Sequence, residues 1–110
     1  MEEAVRVLTD NDFDKTIRDE PLAMVMFSAP WAGPCNMARP VYEETAGRLG
    51  NGMKFYEFIL DDNPVIPEKY GVRQIPLFVM FSDGKPTSVL AGAVPTEVIV
   101  TMCIAELEKQ

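Results

Sequence analysis

The sequence contains no histidine. That removes the Ser–His and Cys–His pairs of nucleophilic catalysis and argues against a zinc site, which draws heavily on imidazole. Cysteine is scarce. Cys35 and Cys103 stand in unlike settings, which does not resemble the dense, even set of a secreted disulfide framework. Positive charge is also short: 10 Lys and Arg face 17 Asp and Glu, for a net charge of −7. This balance argues against nucleic acid or an anionic membrane as partner and favours solubility. No apolar run approaches the length of a membrane span. The start, Met1-Glu2-Glu3, is acidic and has no apolar signal region. These absences set the expectation of a cytoplasmic location. Nothing in the composition suggests a metal, a nucleotide or a prosthetic group, so no cofactor is expected.

What is present suits a single domain over residues 1–110. Apolar residues make up 47% and charged residues 25%, ordinary globular values. A chain of this size buries roughly 65% of its unfolded surface, enough for one core. Ala4 to Leu8 alternates like a short strand. Thr9-Asp10-Asn11-Asp12 is a capping cluster ahead of a short helix that carries Phe13 and Ile17 and stops before Pro21. Leu22 to Ser28 is apolar on both faces, as a covered central strand would be. Gly33 to Leu49 is helical, with Met37, Val41 and Thr45 on one face, Ala38, Tyr42, Ala46 and Leu49 on the next, and a kink expected at Pro40. Gly50-Asn51-Gly52 ends it. Met53 to Leu60 reads as a strand, followed by a short helix with Asn63 as N-cap and Pro64 at its first position, closed at Tyr70-Gly71. Ile75-Pro76 opens the strand Leu77 to Ser82. Asp83-Gly84 is a hairpin turn signal, and Thr87 to Ala91 returns antiparallel before Gly92 breaks the pattern. Pro95-Thr96-Glu97 starts a last helix with Ile99, Met102, Cys103 and Leu107 on one stripe. The order is β-α-β-α-β-α-β-β-α. Its alternating first half implies parallel pairing through crossovers, and its hairpin adds an antiparallel edge.

The chemistry-bearing stretch is Ala29-Pro30-Trp31-Ala32-Gly33-Pro34-Cys35-Asn36-Met37, where a strand hands over to a helix. Cys35 lies in the first helical turn, where free N–H groups and the helix dipole stabilise a thiolate. Three residues earlier, where a second thiol would complete Cys-x-x-Cys, the chain has Ala32.

Along essentially its whole length the chain resembles thioredoxin. The family's Trp-Cys-Gly-Pro-Cys stands here as Trp31-Ala32-Gly33-Pro34-Cys35, its helix-kinking proline as Pro40, and its Tyr-Gly-Val-Arg-x-Ile-Pro stretch as Tyr70 to Pro76. Its strand-turn-strand is matched by Phe81 to Lys85 and its late glycine by Gly92. The resemblance implies a three-layer α/β/α fold, a central mixed five-stranded sheet flanked by four helices. It implies a cis Pro76 beside the Gly33-Pro34-Cys35 turn, and an apolar docking surface of Trp31, Gly33, Pro34, Ile75, Pro76 and Gly92 that takes extended protein segments by strand addition. It further implies disulfide-bearing protein partners, a thioredoxin reductase as electron donor, and a monomer.

Five positions depart from the family. Ala32 replaces the attacking cysteine, Met26 the buried aspartate under the second cysteine, Ser28 a tryptophan, Glu57 a lysine and Leu77 a threonine. Family dithiol exchange needs an attacking and a resolving thiol. Ala32 leaves the attacking position vacant, while Cys35 keeps the resolving one. Little or no reductase turnover is expected. Two origins of Ala32 fit: a Cys→Ala substitution made in an active protein, or natural divergence into a protein-binding or chaperone-like module. Cys35 by itself reads as a small buried side chain at a helix start, and Cys103 as core filler, both free thiols. Glu57 is expected to be a strand-end charge reaching solvent, with the alternative that it faces the core as a proton acceptor near Cys35. The acidic cluster Asp10, Asp12, Asp14, Asp19 and Glu20 reads as a solvated helix face.

Overall fold

A computed structural model describes residues 4–92 and 94–109. The acidic start Met1-Glu2-Glu3 lies outside them. Nine elements follow in the order β1 (Val5–Leu8), α1 (Phe13–Arg18), β2 (Leu22–Ser28), α2 (Gly33–Leu49), β3 (Lys54–Ile59), α3 (Val65–Lys69), β4 (Leu77–Ser82), β5 (Lys85–Ala91) and α4 (Thr96–Lys109). The strands form one mixed five-stranded sheet ordered β1-β3-β2-β4-β5. β1 and β2 both run parallel to β3, joined through the crossover helices α1 and α2. β4 enters antiparallel to β2, and β5 antiparallel to β4. This is the three-layer α/β/α architecture that the resemblance implies.

The sheet explains why β2 looked apolar on both faces. All seven of its residues are buried. Met24 and Met26 face Ala38, Tyr42, Ile99 and Cys103 of α2 and α4, with Phe55, Phe78 and Met80 beside them. Ala23, Val25 and Phe27 face the other way, toward Phe13, Ile17, Phe58, Ile66 and Phe81. Successive strand side chains alternate faces, so an unbroken apolar run feeds two separate cores. Phe13 centres the second core, its ring within 6.1 Å of those of Phe27, Phe58, Tyr70 and Phe81. The hairpin turn has positive φ at both Asp83 (51°) and Gly84 (82°), the geometry that matches strand twist in a two-residue turn.

Two local expectations are corrected. Asn63 does not cap α3. Pro64 holds the N-cap position, and the free amides of Val65 and Ile66 donate to Asp10, far away in sequence, at 3.0 and 2.9 Å. Asn63 instead accepts from the Asp10 N–H at 2.9 Å, which fixes the carboxylate over the helix end. The acidic cluster is therefore not one solvated face: Asp10 caps α3, and Asp14 pairs with Lys69 at 2.9 Å. On α2 the buried stripe is Cys35, Ala38, Tyr42, Thr45 and Ala46, which follows the second of the two expected faces, and Met37 is 73% exposed.

Candidate functional site

The site lies where β2 ends and α2 begins, at the C-terminal end of the central strands. Ala32, extended at φ −93° and ψ 116°, is the N-cap of α2, and Pro34 sits in the first turn, where no amide donor is needed. The Cys35 and Asn36 amides donate to the Ala32 carbonyl at 3.1 and 3.2 Å, closing the turn. Ala29, Ala32 and Cys35 form a small apolar cluster with Ile75 packed against it. Cys35 is fully buried, and Ala32 is 9% exposed. Cys35 and Cys103 are both free thiols.

The residues that the resemblance implies for docking lie around this turn. Trp31 is 71% exposed, held in place by an indole N–H donated to Asp61 at 3.1 Å. Gly33 and Pro34 are exposed, Ile75 and Gly92 half-buried, and Pro76 buried. The Ile75–Pro76 peptide bond is cis, and the Gly92 amide donates to the Pro76 carbonyl at 2.9 Å with Gly92 at φ 89°. Glycine suits that left-handed backbone.

Glu57 overturns the expectation that it reaches solvent. It is 6% exposed. In the parallel register it lies beside Met26, on the sheet face covered by α2. A buried carboxylate needs partners, and Glu57 has them. Its Oε2 accepts from the Ser28 hydroxyl at 2.6 Å and from Arg39 Nε and Nη2 at 3.0 and 2.9 Å. Arg39 Nη1 also donates to Asn36 Oδ1 at 2.7 Å, and Asn36 donates to the Pro30 carbonyl at 3.1 Å. The Glu57 pair raises the Arg39 pKa above its ordinary value, chiefly through these hydrogen bonds and against a smaller opposing effect of burial. Arg39 and Asn36 were not singled out in the sequence. The available signal was spacing: Arg39 follows Cys35 by four residues on a helix, so the two share a face.

The thiol on α4 is chemically quiet. Burial pushes Cys103 up to about 12. Among the described residues no group of three or more Cys, Asp or Glu is placed to hold a metal ion. No helix among them is long and apolar enough to cross a membrane. A surface hollow at the opposite end of the sheet, remote from this turn, lies between Arg6, Gly47, Asn51 and Tyr56.

Comparison with known proteins agrees with this geometry. The thioredoxin family model matches residues 4–105. The chain is 38% identical over 94 residues to a thioredoxin of Staphylococcus epidermidis, covering 86% of this chain and 89% of that one. It is 35% identical over 99 residues to a thioredoxin of Pyropia yezoensis, covering 89% and 92%. It is 42% identical over 83 residues to a chloroplastic M-type thioredoxin of Brassica napus, covering 76% of this chain but only 46% of that longer relative. The solved structure of a Malassezia sympodialis thioredoxin superposes with a TM-score of 0.81 at 27% identity, covering 91% of both chains. The sheet order, the turn at the head of α2 and these matches give one answer: the chain belongs to the thioredoxin family.

Proposed function

We propose that this chain is a thioredoxin-family thiol-disulfide exchange domain that docks extended, disulfide-bearing protein segments and, as written, does not turn them over. The observation that carries the reading is the pairing of an exposed tryptophan beside an apolar turn with a methyl group where the family has its attacking cysteine. Trp31 is 71% exposed beside the Pro34 turn, while Ala32 occupies the position ahead of a fully buried Cys35. An exposed tryptophan against an apolar turn marks a contact surface.

Dithiol exchange runs in two displacements. A thiolate at position 32 would attack one substrate sulfur and expel the other as a thiolate. The Cys35 thiolate would then attack the sulfur at position 32, release the remaining substrate thiol and close a disulfide between the two positions. Two electrons pass to the substrate, and a thioredoxin reductase restores the dithiol. Alanine has no lone pair to begin the first displacement. Cys35 cannot take its place, because its sulfur is buried behind the turn.

A second reading, a redox-inactive binding or chaperone-like module, draws support from the partnered Glu57. The carboxylate that stands where relatives carry a lysine is satisfied by Ser28 and Arg39. Coordinated change around one site suits divergence of the whole site more than a single replacement.

The test is protein-disulfide reduction by the Ala32→Cys variant beside the chain as written, in an NADPH-coupled thioredoxin reductase assay with a dithiothreitol-driven control. Turnover by the variant alone is the expected result. Absence of turnover from both, while both fold, replaces this reading with the binding module.

A further inference from the structure

Two residues of the sheet have no role so far: Leu77, which stands where the family carries threonine, and Val89, whose side chain is 62% exposed. The strand register brings them together. Leu77 pairs with Ala91 and Val79 with Val89, so Val89 is the diagonal neighbour of Leu77. Strand side chains alternate faces. Leu77 and Val79 belong to the face packed against Phe13 and Phe81, so Val89 and Ala91 project from that same face. Val79 is buried there, whereas Val89 and Ala91 on the outer strand lie bare and Leu77 is half-buried. This apolar strip is continuous with the docking turn. Leu77 follows the cis Pro76, Ala91 precedes Gly92, and the Gly92 amide donates to the Pro76 carbonyl at 2.9 Å, tying the two strand ends together. Ile75 packs against both this core and the Ala32 turn. Edge strands are ordinarily guarded by charge or proline. β5 has both, as Lys85 and Pro86, but only at its hairpin end, and from Thr87 to Ala91 it carries no charge. The end left apolar is the end beside the docking turn.

We infer that Leu77, Val89 and Ala91 form a side-chain seat of the docking surface, and that the extended protein segment laid beside Pro76 is selected for an apolar side chain that covers them. The inference rests on the docking reading above and names the class of segment that the surface takes. A polar flank on the segment leaves the strip wet. An apolar flank removes both the strip and its own surface from water, which favours the complex.

The experiment uses the chain as written and synthetic, tryptophan-free peptides closed by one disulfide. One peptide has serine at every flanking position. The others each carry a single leucine, placed at successive flanking positions on either side of the disulfide. Calorimetry gives the affinities, and the fluorescence of Trp31, the only tryptophan of the chain, reports whether a peptide lies at the turn. At least one leucine peptide should bind roughly fourfold tighter than the serine peptide, the worth of about one buried methylene. Leu77→Thr and Val89→Thr, which keep a β-branched strand residue, should each remove most of that gain and leave the serine peptide's affinity unchanged. Should Leu77→Thr not fold, the exposed Val89→Thr decides alone. No leucine preference, a preference that survives in the folded variants, an equal loss for the serine peptide, or binding that leaves Trp31 fluorescence unmoved overturns the inference. The serine peptide tests the docking reading separately. Its binding without a leucine preference removes the seat alone, and absence of binding by every peptide removes both.

Discussion

Replacing Arg39 with leucine should destabilise this protein more than replacing Glu57 with leucine, and replacing both should cost less than either sum implies. The asymmetry follows from exposure. The Glu57 side chain is 8% exposed and that of Arg39 26%. Removing one partner of a buried ion pair typically costs about 3–5 kcal/mol, because a charge is left uncompensated. Here Glu57 would keep its Ser28 hydrogen bond, and water can reach the space the guanidinium leaves, so Arg39→Leu should cost about 2–3 kcal/mol. In Glu57→Leu the arginine can turn toward solvent, and the chief loss is the acceptor for Ser28, about 1–2 kcal/mol. The double variant replaces the pair by apolar packing and should lie within about 1 kcal/mol of the parent. The coupling between the two sites is then about 3 kcal/mol, well above the few tenths expected of independent positions. Urea denaturation at neutral pH measures it, with unchanged m-values confirming a two-state comparison. Additivity within about 0.5 kcal/mol, or a larger loss from Glu57→Leu than from Arg39→Leu, would refute the reasoning.

Three further outcomes are expected. Asp10→Ala should strip the end of α3 of both its acceptors and cost about 1–2 kcal/mol, with hydrogen exchange quickening first at Val65 and Ile66. Unchanged protection there would show that Asp10 does not cap the helix. Phe13→Ala should cost about 3–5 kcal/mol, because a fully buried ring with four aromatic neighbours leaves a cavity no single side chain can fill. A loss under about 1.5 kcal/mol in a denaturant titration would mean that the core collapses around the site. Stability should fall with rising pH on the alkaline side. Burial pushes Cys103 from an ordinary 9.0 up to about 12, and burial, helped by the Glu20 carboxylate, pushes Tyr56 from 10.0 up to about 12. Between those values the unfolded chain has lost protons that the folded chain still holds, so the equilibrium tilts toward unfolding. Denaturation midpoints across this window should decline less steeply in Cys103→Ala, and an identical slope would exclude that thiol as a contributor.

Much of this protein was legible in its sequence because the relevant signals are local. The run Leu22 to Ser28, the Asp83-Gly84 turn and the Pro34 helix start are each set by the backbone preferences of adjacent residues, so the order of elements along the chain and the hairpin position could be read directly. The vacancy at Ala32 was equally plain, since a missing sulfur needs no fold to be missed. What the sequence could not supply were the pairings between distant residues. Whether a carboxylate on β3 meets water or a guanidinium depends on which side chains the sheet and α2 bring to it, and Glu57 looked like a surface charge until Ser28 and Arg39 closed over it. Asp10 reads as part of the cap for its own helix, yet it caps α3, because the loop after β1 packs against the start of a helix far along the chain. Met37 fits the helical period as well as Ala38 does, and only the packing of α2 on the sheet through Ala38, Tyr42 and Ala46 decided that the methionine faces solvent. Local conformation is a property of neighbouring residues, whereas burial and charge pairing are properties of the packed whole.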